Sequence, residues 1–463
     1  MKRLITPLSV QTRLPVETRL SVDTSSAIKT GLDIKSQKLI SVRLPGSKYI
    51  ANRLLPLCAL ASSSSLLTNI VDNDDIKAST TGLRALGYQL NYKEGVMSVN
   101  PRNSDSVHPE NIQFNTHHSG TFSRFVTAIA SLESTPVQID CSAKMATRPM
   151  KELFDALREL GVEVNTENDK LPAIINGPIK NNVCQLDASR SSQYLSALLI
   201  IAPLLQNGLT INLIGKQVSS AYVDMTIDLM DKMGVSVKKS NCQITVEAGQ
   251  NYKGIEYCVP CDPVSSSYFM GLSAITGQTI RIEAFDHNSL QGESQFYTVL
   301  EKMGVRFAKD ESSLTIYSNG QLKGVEVDMG EMPDAVQTLA VIASYAKGNT
   351  LIKNIAHLAF KESDRIKDTA TELNKAGIKV EAGDDYLLIY GGQPKAVEID
   401  TYDDHRMAMS MALLGAKTDN VVINDSNVVN KSFPSYWNLM ASVGLRSNEL
   451  CSKHSSEDGT THV

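Results

Sequence analysis

The sequence has no excess of positive charge. Its 463 residues carry 45 Lys+Arg against 50 Asp+Glu, a formal net charge of −5. That balance excludes a general nucleic-acid or anionic-membrane binder, since both rely on a positive field. Long hydrophobic runs are also missing. The longest, Leu195 to Leu205, falls far short of the about 20 residues that span a bilayer. No apolar segment follows the N-terminus as a secretory leader would require, and a transit peptide would be poorer in acids than a stretch holding Glu17, Asp23 and Asp33. Cysteine is sparse. The seven lie at 58, 141, 184, 242, 258, 261 and 451, an odd number at scattered spacing, which fits free thiols in a reducing compartment such as the cytoplasm. Cys258 and Cys261 form a lone CxxC with no second ligand pair at zinc-like spacing, so no metal is expected. The phosphate-binding pattern GxxxxGK[ST] is absent as well.

What is present reads as a soluble globular chain, with 42% hydrophobic and 21% charged residues. At about 150 residues per domain the length suggests about three domains. The N-terminal stretch 1–38 is rich in Ser and Thr and holds a tandem echo, TRLPVE at 12–17 and TRLSVD at 18–23. It reads as a short extended segment or a floppy extension. Residues 447–463 have almost no apolar side chains and read as a disordered tail.

Between these ends the chain repeats. LRALGYQL (83–90), LRELGVEV (157–164), MDKMGVSV (230–237), LEKMGVRF (300–307), LNKAGIKV (373–380) and MASVGLR (440–446) share one pattern. Their glycines, Gly87, Gly161, Gly234, Gly304, Gly377 and Gly444, recur at a nearly constant interval. The physical reading is a helix stopped by a glycine in the left-handed region and followed by a strand. Six units of about 70 residues revise three domains to two, each of three units.

The starts of the helices carry the chemistry. A helix N-terminus bears partial positive charge, so acids are favoured there and cations are not. This sequence often does the reverse. PGSK at 45–48 opens YIANRLLPLCALA, with Arg53 one turn in. TRP at 147–149 opens MKELFDALREL. KESDR at 361–365 opens IKDTATELNKAG, DDHR at 403–406 opens MAMSMALLGA, and Lys431 precedes SYWNLMASVG. Small hydroxyl residues mark two other starts, Ser119-Gly120-Thr121 and Ser191-Ser192-Gln193. One such cluster is ordinarily a cap or a solvated charge. Repeated in successive units that converge, they make a site for a multiply anionic small molecule.

These same stretches resemble the enolpyruvyl transferase family, and within it the 5-enolpyruvylshikimate-3-phosphate (EPSP) synthases, over about residues 40–440. LPGSKYIANR, HSGTFSRF, TRPMKELFDALRELGV, SSQYLSALL, YVDMTIDLM, DPVSSSYF, NSLQGE, MPDAVQTLA, FKESDRIKDTATEL, YDDHRMAMSMALLGA and KSFPSYW carry the likeness. The resemblance implies a two-domain inside-out α/β barrel of six βαβαββ units. The chain would cross between domains near 46–48 and 260–262. Residues 1–46 would then be an extension and the first strand of one domain, 47–260 the other domain, and 261–446 the remainder of the first. The implied reaction moves the enolpyruvyl group of phosphoenolpyruvate to a hydroxyl of shikimate 3-phosphate by addition and elimination, on the path to aromatic amino acids. It needs neither metal nor organic cofactor, and a monomer is expected.

Matched motif by motif, the resemblance assigns phosphoenolpyruvate to Lys48, Gly120, Arg148, Gln193, Arg365, Arg406 and Lys431. Glu362 would shuttle the proton of C3. Asp334, with Lys48, would be the base at the acceptor hydroxyl. The acceptor phosphate would lie on Ser191, Ser192 and Ser219 beside Tyr222, with Lys361 near its hydroxyls, Arg53 on its carboxylate, and Tyr49 and His357 at its edge. Tyr49 and His357 are departures, because family members carry Ser and Asn there. Tyrosine is much larger than serine, so its phenol must sit elsewhere. His117-His118-Ser119 replaces Asn-Ala or Asn-Ser, and Phe125 stands where Pro is usual. These changes leave open a paralogue with a reshaped acceptor pocket, or a metabolite-binding relative without catalysis. The sister activity on UDP-N-acetylglucosamine uses a cysteine where this chain has Ala143, and Cys141 lies two residues off register.

Overall fold

The computed structural model describes residues 1–6, 38–102, 111–215 and 220–450. The tandem echo at 12–23 and Ser219 lie outside these residues. Each of the six expected glycines stops a helix with positive φ, from 79° at Gly377 to 106° at Gly444. One hydrogen bond recurs behind all six. The N–H after the glycine donates to the carbonyl five residues back, as in Tyr88 to Leu83 (3.0 Å), Val162 to Leu157 (3.0 Å) and Val235 to Met230 (2.9 Å). It recurs in Val305 to Leu300, Ile378 to Leu373 and Leu445 to Met440. A side chain at the glycine would be strained in this helix-ending turn, which is why the pattern could be read from sequence.

Six four-stranded sheets result, each holding one parallel pair beside an antiparallel pair. In the second unit Ile112–Asn115 runs parallel to Val137–Asp140, which pairs with Ala173–Asn176, and Glu163–Thr166 closes the edge. The strands alternate buried and exposed residues, so one face is covered and the other open. The first helix of each unit is buried on nearly all sides. Lys48–Ala59, Gly120–Ala130, Ser192–Ile201, Pro263–Thr276, Val336–Ala343 and His405–Ala412 are these helices. Apolar residues all round each helix suit a position inside a ring of sheets. Helices within and sheets without make the inside-out α/β barrel.

The buried apolar side chains fall into two clusters. One draws on residues 50–259; the other draws on Ile5, Val42, Leu44 and residues 261–445. The chain passes between them twice, side by side. Ser47 N–H donates to the Pro260 carbonyl (2.8 Å) and Asp262 N–H to the Pro45 carbonyl (3.0 Å).

The N-terminal end takes the extended alternative over Lys2–Thr6, and the C-terminal end differs from the sequence expectation. Lys2–Thr6 is neither loose nor peripheral: it lies inside the sixth sheet, between Val421–Ile423 and Arg446–Leu450. The tail expected to be disordered from 447 is ordered through Leu450, because Ser447–Leu450 pair residue by residue with Lys2–Ile5. Polar side chains do not prevent this. The ladder is made of main chain, and a partner strand at the opposite end of the sequence is invisible to local composition. Residues 451–463 lie outside the described part.

Candidate active site

The six buried helices aim their N-termini at one place between the two cores. Lys48 and Tyr49 begin the first, Gly120 the second and Ser192 the third. Asp262 caps the fourth by accepting from Val264 N–H (2.8 Å). Pro333–Ala335 leads into the fifth, and His405 and Arg406 begin the sixth under an Asp404 cap on Arg406 N–H (2.9 Å). Free N–H groups and positive helix ends therefore face a common centre.

Three acids sit in it, each held by cations. Asp334 accepts from Arg365 Nη1 (2.7 Å) and Arg406 Nη2 (3.2 Å). Burial pushes its carboxyl up, but the two guanidiniums hold it well below the usual carboxylate range. Arg365 spans to a second acid, the fully buried Asp404, through Nε (2.7 Å) and Nη2 (3.2 Å). Glu362 meets His405 Nδ1 (2.8 Å) and Lys431 Nζ (2.6 Å) and is also held well below its ordinary value. His405 is driven by burial down to about 4, so it is neutral near pH 7 and its Nδ1–H donates to the carboxylate. Glu362, Asp404 and His405 are close enough to share an ion. However, Lys431 and Arg365 already neutralise the two carboxylates, and a divalent ion would face both cations.

The other half holds two buried arginines without acids among the described residues. Arg53 is 2% exposed. It donates to Thr226 Oγ1 (2.7 Å) and the Tyr49 carbonyl (2.9 Å), between the rings of Phe125 and Tyr222. Burial lowers its pKa to about 10, and no carboxylate pairs with it among the described residues. Arg124 is equally buried. It donates to the Gly120 and Pro149 carbonyls and the Met145 sulfur beside Tyr194, and burial likewise lowers it to about 10. Arg148 packs so close to Gly120 that a Cβ there would lie 2.3 Å from its Nη1. A cavity of about 40 Å³ opens beside it, lined by His118, Lys144, Arg148, Lys361 and Lys431 against the single acid Glu362. Such a lining favours an anion.

The remaining expected residues gather around this centre. Lys48 is buried and pairs with Asp75 (3.5 Å). Ser191 caps its helix by accepting from Gln193 N–H (3.3 Å), and Gln193 Nε2 donates to Thr121 Oγ1 (3.1 Å). Tyr222 donates to Glu293 (3.3 Å). His357 has a buried, unpartnered Nε2 and is lowered to about 4 by burial and by Lys361. Lys361 is itself lowered by burial and faces Asp334 and Arg148. Cys141 is half-buried and its thiol is pushed up, the opposite of an activated nucleophile.

A model of the EPSP synthase (3-phosphoshikimate 1-carboxyvinyltransferase) family matches residues 35–440. The chain belongs to the EPSP synthase family. It is 36% identical over 410 residues to the 3-phosphoshikimate 1-carboxyvinyltransferase of Serratia proteamaculans (strain 568), covering 87% of this chain and 96% of that one. It is 37% identical over 411 residues to the enzyme of that name from Proteus mirabilis (strain HI4320), again covering 87% and 96%. In three dimensions it resembles an EPSP synthase from Acinetobacter baumannii, with a TM-score of 0.76 at 23% identity, covering 89% of this chain and 97% of the other.

Within an EPSP synthase framework the departure at Tyr49 is now located. The phenol does not leave the site. It donates to Asp334 Oδ2, accepts from Arg406 Nη2 (2.6 Å), and its ring packs on Tyr222 at 5.2 Å. The sequence reading also passed over Glu293, though it lies in the NSLQGE stretch. Glu293 is fully buried, accepts from Asp334 N–H (3.1 Å) and Tyr222, and has its carboxyl raised to about 7 by burial and by Asp334. Arg124, Asp404 and His405 were likewise inside quoted stretches of EPSP synthase likeness without an assigned part. An arginine in an apolar helix face (FSRFVTAIA) was the available signal for Arg124. Nothing local marked Glu293.

Proposed function

We propose that this protein transfers the enolpyruvyl group of phosphoenolpyruvate to the 5-hydroxyl of shikimate 3-phosphate and releases phosphate, as a cytoplasmic monomer. The observation that carries the reading is the pair of clamped acids. Asp334 and Glu362 sit on either side of a cationic centre, each held by the cations assigned to phosphoenolpyruvate. A protein that only bound anions would need the cations and not the acids.

The clamps suggest how the acids are switched. Phosphoenolpyruvate offers its carboxylate to Arg365 and Arg406, and its phosphate to Lys48, Arg148, Gln193, Lys431 and the Gly120 main chain. Drawing these cations away raises the pKa of both acids toward the working range. A proton then passes from Glu362 to C3, the acceptor hydroxyl adds to C2, and its proton goes toward Asp334. The tetrahedral adduct collapses as C3 returns its proton to Glu362 and the C2–O bond to phosphate breaks. Helix N-termini and arginines stabilise the charge on the departing phosphate. On the acceptor side, Arg53 is a buried cation awaiting a carboxylate, and Ser191, Ser192, Ser219, Tyr222, His357 and Lys361 would hold the phosphate and hydroxyls.

The test is phosphate release by the purified protein. Release that requires both phosphoenolpyruvate and shikimate 3-phosphate is the expected result. Saturable binding of both with no release would replace transfer by sensing.

A further inference from the structure

The phenol of Tyr49 lies on the very carboxylate that the transfer reaction needs free. Asp334 Oδ1 is taken by Arg365 (2.7 Å), while Oδ2 is taken by the Tyr49 hydroxyl and by Arg406. An acceptor hydroxyl approaching Asp334 from the cleft therefore meets Tyr49 Oη first. That oxygen donates its one proton to Asp334 and accepts one bond from Arg406 Nη2 (2.6 Å). A phenol oxygen can accept a further bond, so it has room for one more donor.

The ring is held from several sides. Tyr222 packs on it at 5.2 Å and the Lys48 ammonium lies 5.5 Å from its centroid. Arg53 Nη1 holds the Tyr49 carbonyl (2.9 Å). The phenol remains protonated, because burial and the nearby Asp334, Glu293 and Asp262 raise its pKa well above the ordinary value. Arg406 retains a buried Nε–H without a partner, so it can meet an anion while its Nη2 stays on Tyr49.

We propose that Tyr49 is a catalytic residue, a proton relay inserted between the acceptor hydroxyl and Asp334. The acceptor O–H proton passes to Tyr49 Oη while the phenol proton passes to Asp334 Oδ2. The acceptor oxygen bonds to C2 of phosphoenolpyruvate as C3 takes its proton from Glu362. Tyr49 is neutral before and after, Asp334 gains one proton, and no other reactant is required. On collapse the proton on Asp334 leaves with the released phosphate or to solvent. The relay rests on the transfer reaction proposed above.

The experiment compares full-length wild type, Tyr49→Phe and Tyr49→Ser by phosphate release with both substrates, with melting temperatures to confirm folding. Phe keeps the ring and removes the hydroxyl. Ser clears the phenol and lets the acceptor reach Asp334 directly. The expected result is a loss of tenfold or more, on the order of 100-fold, in kcat for Tyr49→Phe, with the acceptor KM within about threefold of wild type. Tyr49→Ser should recover kcat to within about tenfold of wild type. A Tyr49→Phe enzyme that loses less than about tenfold overturns the relay, and so does a Tyr49→Ser enzyme as slow as Tyr49→Phe, which would make the ring only a wall. A silent wild type with an active Tyr49→Ser shows a blocking phenol; it overturns the relay and keeps the transfer chemistry. Silence in all three overturns the transfer reading, and the relay with it.

Discussion

In the half of the site built from residues 261–445, Arg365 and Arg406 lie against Asp334 and Asp404. In the half built from 50–259, Arg53 and Arg124 are as deeply buried yet meet no carboxylate among the described residues. The pKa values follow the difference. Arg365 is raised by its acids, whereas Arg53 and Arg124 fall to about 10. One half carries counter-charges for its buried arginines, as the other does for Lys48 with Asp75. The other holds cations at a cost that an anionic ligand would repay. The first half is therefore the place to look for stability and proton transfer together, the second for binding with little bearing on stability.

The sharpest way to break the comparison is Asp334→Asn. Loss of the base should lower kcat by about 10³-fold while phosphoenolpyruvate still binds, measured by phosphate release and by calorimetry. Next comes the contrast between Arg365→Met and Arg53→Met in chemical denaturation. The former strands Asp404, takes one of two guanidiniums from Asp334 and should cost about 3–5 kcal/mol; the latter removes an unpaired charge and should stay within about 1 kcal/mol of wild type. Equal losses would show that Arg53 has a counter-charge after all. Arg53→Met should nevertheless raise the acceptor KM by about 100-fold, the worth of a charge-assisted pair.

A smaller effect separates the two ligands. Gly120→Ala places a Cβ against Arg148 and should raise KM for phosphoenolpyruvate by about tenfold, leaving the acceptor KM nearly unchanged.

The smallest effect is a pH slope. Glu293 is raised from 4.5 to about 7 in the folded protein, so it binds a proton there that the unfolded chain has lost. The stability it contributes is full below pH 4.5, is lost as pH rises, and is gone above about 7. His357 and His405, lowered from 6.5 to about 4, act in the opposite sense and lose stability as pH falls through that window. The difference in melting temperature between wild type and Glu293→Gln isolates the carboxyl. It should shift against wild type as pH rises from 4.5 to about 7, then level. A difference that does not vary with pH would place Glu293 outside this linkage.

What was legible in the sequence was local or repeated. Gly87 and its five counterparts could be read because a helix-ending turn is written within a few neighbouring positions and recurs. Lys48, Arg148, Arg365 and Arg406 could be picked out because cations at helix starts run against the dipole. Glu293 was passed over because its partners lie 41 and 71 residues away, and nothing in its neighbours foretells them. The same holds for Lys2–Thr6, whose strand partners include Arg446–Leu450 at the far end of the chain.

By itself, then, the sequence determined the repeating unit, its turn, its buried and half-buried faces, and the cations at its helix starts. These follow from backbone sterics and hydrophobic period, which act between near neighbours in the chain. Only the tertiary structure decided which acid each cation meets, that both chain ends close the sixth sheet, and that Tyr49 turns inward onto Asp334 rather than away. Those outcomes depend on main-chain groups, charges and rings brought within a few ångströms from distant parts of the chain, where burial makes an unpaired group costly and its choice of partner sharp.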